Sequence, residues 1–209
     1  YFARKINQLE LLMKIHPSAA FISFLCFFFG GFSQAEDNEP VVEINNESFQ
    51  CVQDMTPLRG FFVDNLLGNL EETLSVANSA DGGDYPAGSV VQLVPSEIMV
   101  KRAPGVSPNT NDWEFFIMDT TTTSSEILTR GFADVVNRFG GNCLSCHAQA
   151  EPQWDMVCES GHGCDPIPLT RDILTLLQKT DLRCEDMPPL SAEDQEKLAA
   201  LQQMMQAQN

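Results

Sequence analysis

The sequence predicts an α+β fold, a small antiparallel β-sheet with flanking helices, and three observations carry that expectation. Between residues 89 and 130, short β-branched and aromatic runs alternate with turn-forming stretches. Apolar stripes at helical spacing lie on both sides of them. The chain has 209 residues, 43% of them hydrophobic, which suits one core of ordinary size.

The N-terminus comes first. The chain begins at Tyr1, and Met13 is the expected start of translation, with 1–12 an upstream extension. From Met13 the order is Lys14, an apolar run from Ala19 to Phe32, then Ser33-Gln34-Ala35. This is the layout of a secretory signal peptide, assigned to 13–35. The run is shorter than the roughly 20 residues a membrane span needs, so cleavage would leave no span and a periplasmic or otherwise exported protein. Cys26 lies inside the apolar run and is set aside.

Residues 36–50 are acidic and Asn-rich and read as a flexible lead-in to a domain at 51–209. A helix is expected next, with Thr56 as cap and Pro57 in its first turn. Leu58, Phe62, Leu66, Leu70 and Leu74 would form its apolar stripe. Residues 80–88 carry turn chemistry. Strands follow at Ser89–Val94, Ile98–Val100, Trp113–Met118 and Ser125–Arg130, with a loop over 102–112. Gly131–Phe139 reads as a short helix, Thr170–Lys179 as a second, and Ser191 as the cap of a last one whose Leu198, Leu201 and Met205 face inward.

Acidic residues outnumber basic ones 29 to 12, for a net charge of −17. That argues against nucleic acid, whose phosphates need a basic footprint. A charge-steered partner should carry a basic patch.

One segment carries chemistry: Cys143-Leu144-Ser145-Cys146-His147. In an exported chain, Cys-x-x-Cys-His is the attachment pattern of a c-type haem. Two thiols on one helical turn reach the two vinyl groups of the porphyrin, and the adjacent histidine is aimed at the iron as proximal ligand. One such segment implies one covalent haem c. Zinc on Cys143, Cys146, Cys158 and Cys164 is the alternative, as is a redox dithiol.

Four other cysteines follow the leader: Cys51, Cys158, Cys164 and Cys184. An even number in an oxidising compartment fits two disulfides with three possible connectivities. Cys158–Cys164 and Cys51–Cys184 are the expected pairs.

The sixth iron position is open among three readings. Met187, in Met187-Pro188-Pro189-Leu190-Ser191, resembles the way all-α class I cytochromes c present a methionine, which would raise the reduction potential. His162 is the only other histidine beyond the leader. The third reading is an open site walled by Trp113, Phe115, Phe116 and Met118.

The order of features in 85–158 resembles the β-sheet monohaem cytochromes, the beta-type cytochromes c-prime and their hydroxylamine-oxidising relatives. The resemblance rests on Tyr85-Pro86 with the following Gly88-Ser89-Val90-Val91, on Asp112-Trp113-Glu114-Phe115-Phe116, on Cys143–Ala148 and on Asp155-Met156-Val157. It implies thioether roles for Cys143 and Cys146 and the proximal role for His147. The enzymes of that family carry a haem-bonded lysine in or near the first strand. Here that strand reads Val90-Val91-Gln92, and Lys101 is the nearest lysine. The alternative fold is an all-α class I unit over 131–206.

Two functions follow as expectations. One is an exported monohaem cytochrome that carries electrons to a redox partner protein. The other is a haem protein with an open distal site that binds or converts a small ligand, such as nitric oxide or a small nitrogen compound.

Overall fold

A computed structural model describes residues 43–206, so the expected signal peptide at 13–35 lies outside the described residues. Six strands form one antiparallel sheet in sequence order: β1 (Thr56–Leu58), β2 (Phe61–Asn65), β3 (Ser89–Val94), β4 (Glu97–Lys101), β5 (Trp113–Asp119) and β6 (Glu126–Gly131). Four α-helices accompany them: α1 (Leu70–Ala77), α2 (Cys143–His147), α3 (Arg171–Gln178) and α4 (Ala192–Gln206). The α+β architecture is as the sequence predicts.

Both faces of the sheet are covered, and the period of two along each strand sorts the side chains. On one face Phe61, Val63, Val91, Met99, Trp113, Phe115 and Ile117 pack with Tyr85, Val135 and Val157, and Cys143, Leu144 and Met156 lie against them. On the other, Val90, Ile98, Val100, Phe116 and Met118 pack beneath Ile44 and Phe49. The turn that carries Cys143 and Leu144 therefore sits on one face and the N-terminal segment on the other.

Residues from Glu43 on are not a loose lead-in. Ile44 and Phe49 are buried, Arg130 Nη1 donates to Ile44 O at 2.8 Å, and Ser125 Oγ donates to Phe49 O. Apolar burial and two carbonyl contacts fix a stretch whose polar composition hides its anchors.

The helix expected over Leu58 to Leu74 is replaced by a hairpin and a shorter helix. Arg59 and Gly60 take φ of 49° and 105°, turning the chain between β1 and β2. Pro57 lies in β1 at the sheet edge, where a missing N–H costs nothing. Only α1 remains helical. The helix expected at Gly131–Phe139 is also absent. Asn137 Oδ1 accepts the N–H groups of Phe139 and Gly141 (3.0 and 2.9 Å), so a side-chain turn displaces the helical ladder.

The C-terminal helices are as expected: Thr170 Oγ1 accepts the Ile173 N–H, Ser191 Oγ accepts the Asp194 N–H, and Leu201 is buried. They do not form a separate class I unit over 131–206. Helix α3 packs on β3 and α4 on α3, while Gln178 Nε2 donates to Leu93 O and Gly60 O, both at 2.8 Å.

Candidate functional site

Helix α2 is a single turn whose start is set by Asn142. The Asn142 Oδ1 accepts the Ser145 N–H at 2.8 Å, and Asn142 Nδ2 donates to Ala133 O at 2.7 Å. The turn places Cys143 half-buried against the sheet and Cys146 at the surface. Burial pushes the Cys143 thiol up to about 11, with the nearby Glu97 carboxyl adding to the shift. Cys146 is also raised, by burial and then by Asp165. Both thiols are thus protonated at neutral pH, the opposite of the depressed pKa that a redox dithiol uses.

His147 closes the turn. Its Nδ1 lies 2.8 Å from Met156 O. A carbonyl only accepts, so Nδ1 carries the proton and Nε2 keeps its lone pair. Its ring lies 5.3 Å from that of Phe115. Burial holds the imidazole below its usual range, so it is neutral at pH 7. A neutral imidazole whose second nitrogen is fixed by a carbonyl is the form that ligates a metal.

Met156 O is presented by an unusual turn. Asp155 and Met156 have φ of 46° and 64°, both left-handed. The fully buried Asp155 carboxylate receives Lys101 Nζ at 2.6 and 2.8 Å and the Tyr85 N–H at 2.9 Å, and Asp155 O receives Trp113 Nε1 at 2.7 Å. Lys101, the lysine nearest to the position expected for a haem cross-link, is committed to this ion pair.

The remaining cysteines pair as Cys51–Cys184 and Cys158–Cys164. Cys143 and Cys146 are the free cysteines among the described residues. A Cys₄ zinc site is therefore not assembled, and no group of three or more candidate ligands is found among the described residues.

The two residues expected as distal ligands have these surroundings. His162 Nδ1 donates to Val157 O at 2.7 Å, and its ring stacks on Trp154 at 3.8 Å with an interplanar angle of 1°. His147 and His162 thus engage consecutive carbonyls. Met187 is half-buried three residues past Cys184, and it is not among the side chains packed around Cys143 and Leu144. Of the residues proposed as a distal wall, Trp113 and Phe115 share the face of Cys143, whereas Phe116 and Met118 point into the opposite one.

A cavity of about 880 Å³ lies beside the site, lined in part by Phe61, Leu93, Tyr85, Val157, Cys158 and His162. None of Cys143, Cys146 and His147 lines it. It borders them instead: Cys158 Sγ is 3.7 Å from Cys146 O, and Leu93 and Val157 also pack in the cluster around Cys143.

Glu97 was not singled out by sequence. It starts β4 on the same face as Met99 and Lys101, so charged residues flank the apolar centre of a short strand. Its Oε1 has no hydrogen-bond partner, and burial raises the carboxyl above its ordinary 4.5 despite the Arg138 backbone N–H. The folded state therefore favours the protonated acid. Stability from this group is full below about pH 4.5 and is lost as pH rises through the raised value. Glu97→Gln is expected to remove that loss and gain about 1 kcal/mol at neutral pH. Urea midpoints near pH 4 and pH 8 check it; a variant-to-parent difference equal at both values would refute the assignment.

No protein-family model, curated protein or solved structure matches the chain.

Proposed function

We propose that the chain is an exported protein that binds one haem c covalently, through Cys143 and Cys146, with His147 as proximal ligand. One observation carries the reading: in a chain whose other described cysteines are all paired, the two left free stand one turn apart, next to a histidine held as its Nε2-free tautomer. The donor set fits the group, since thioether attachment needs two free thiols and iron needs a neutral imidazole. Haem, when bound, supplies a one-electron iron centre. The chain's part would be to offer the Cys143 and Cys146 thiols for attachment and to fix the His147 imidazole on Met156 O.

The export half of the reading rests on the leader pattern and on the two disulfides, which fit an oxidising compartment. Among the described residues no helix is long and apolar enough to cross a membrane.

Two roles follow from a bound haem. As an electron carrier the protein would need Met187 or His162 on the iron and would meet a redox partner through its acidic surface. The second role, an open distal site for a small ligand, is favoured by the stacking of His162 on Trp154 and by the position of Met187 outside the cluster. The chemistry of a haem-bonded lysine is not carried over, because Lys101 is held by Asp155.

Expression with a haem-ligating system tests the attachment. Covalent haem is expected in the parent chain and is expected to be lost in Cys143→Ala/Cys146→Ala, read as haem retained on the polypeptide after denaturing electrophoresis. A double variant that kept covalent haem would end the proposal. Carbon monoxide uptake by the ferrous protein separates the roles: rapid uptake marks an open site. Slow uptake that speeds up in Met187→Ala marks a carrier.

A further inference from the structure

We propose that Lys101, Asp155 and Trp113 form a positioning device for His147, holding the Asp155-Met156 turn so that Met156 O selects the imidazole tautomer whose Nε2 is free. This rests on the haem reading for its purpose, though not for its geometry.

Two consecutive left-handed residues with side chains persist only where their surroundings over-determine them. Lys101 Nζ meets both carboxylate oxygens of Asp155, the Tyr85 N–H donates to one of them, and Trp113 Nε1 donates to the Asp155 carbonyl. Lys101 is 9% exposed and Trp113 is fully buried, and the ammonium lies 5.3 Å from the indole centroid. Two of the holders come from adjacent strands in register, Lys101 of β4 opposite Trp113 of β5. The sheet thus grips Asp155, and the next carbonyl along the chain is the one that receives the His147 proton.

A buried ion pair is weak evidence for stability, since an apolar replacement of both partners is often neutral. A positioning role explains what stability does not: why the pair holds a strained turn, and why that turn ends on the ring of His147. A carbonyl on Nδ1 also raises the donor strength of Nε2, so the same device would set the reduction potential of a ligated iron.

The test uses the full chain labelled with ¹⁵N-histidine, with and without haem. In the unloaded chain the His147 ¹⁵N shifts report the tautomer directly. The parent is expected to hold almost entirely the form protonated at Nδ1. Trp113→Phe, which keeps the packing and removes the indole donor, is expected to lower the tautomer ratio roughly fivefold, the value of one hydrogen bond. Lys101→Met should do the same or more. Lys101→Met/Asp155→Asn removes both charges and serves if the single variant does not fold. In the loaded chain the same substitutions are expected to move the reduction potential upward as Nε2 becomes a poorer donor. An unchanged tautomer ratio in folded Trp113→Phe and in the folded pair variant overturns the proposal, as does a parent chain protonated at Nε2. If the ratio responds but no haem attaches to the parent chain, the haem reading falls and the positioning role stands.

Discussion

Removal of the Cys51–Cys184 disulfide by Cys51→Ala/Cys184→Ala is expected to lower the unfolding free energy by about 5 kcal/mol. Removal of Cys158–Cys164 in the same way is expected to cost about 2 kcal/mol. The difference comes from chain entropy in the unfolded state. The first link closes a loop of sequence separation 133 and the second one of separation 6. The long link also joins the N-terminal segment to the chain between α3 and α4. Cys51 lies just past Phe49, which packs edge-on against Phe116 at 5.1 Å, so the bond helps keep the N-terminal segment on its face of the sheet. Without it, amide exchange over residues 43–55 should rise before that of β3 to β5. Urea unfolding of the parent and both double variants measures the ordering. Equal losses would show that loop length does not govern the effect.

The sheet was legible because its central strands are rich in Val, Ile, Phe and Trp and are bounded by turn residues, as in Ser89–Val94 and Trp113–Asp119. β2 was not, because Phe61-Phe62-Val63 is buried on both faces and shows no alternation. Its residues happen to continue a spacing of four from Leu58 to Leu74, and that coincidence crosses a hairpin. What separates the two readings is Gly60 at φ 105°, whose weight is visible only once the turn is seen.

At the site, the Cys143–His147 segment and the presence of two disulfides could be read from residue type, spacing and parity, and the structure pairs the cysteines as expected. The orientation of His147 could not. It depends on Met156 O, and through it on Asp155 and on two residues of adjacent strands far away in sequence. Lys101 stood out as the nearest lysine, but nothing local says that its partner is Asp155. The same limit applies to His162: its place beside a Cys pair left ligation open, and only the stacked Trp154 shows where the ring is engaged.

A second large effect is expected at the corner that follows α3. Arg183→Met should destabilise the protein by about 3–5 kcal/mol, because it leaves the Asp181 carboxylate buried without its counter-ion. Asp181 is 1% exposed, and its oxygens accept Arg183 Nε and Nη2 at 2.7 Å each and the Val52 N–H at 2.9 Å. Arg183 Nη2 also donates to Pro95 O at 3.2 Å, so the pair ties the N-terminal segment and the β3–β4 turn to the C-terminal chain. Arg183→Met/Asp181→Asn removes both charges and keeps an acceptor for the Val52 N–H. It should recover most of the loss, giving a coupling of at least about 2 kcal/mol in a double-mutant cycle. Additive losses would mean that the guanidinium acts through its contacts with Pro95 O and Ser125 Oγ and that the ion pair contributes nothing. The corner also bears on the face that carries Cys143. Pro95 and Ser96 lead directly into Glu97, whose carboxyl adds to the burial that raises the Cys143 thiol, and Ser96 O accepts the Met118 N–H at 2.9 Å. If the corner fixes that turn, Arg183→Met should change the reactivity of Cys143 toward a thiol reagent while leaving that of the exposed Cys146 as it is.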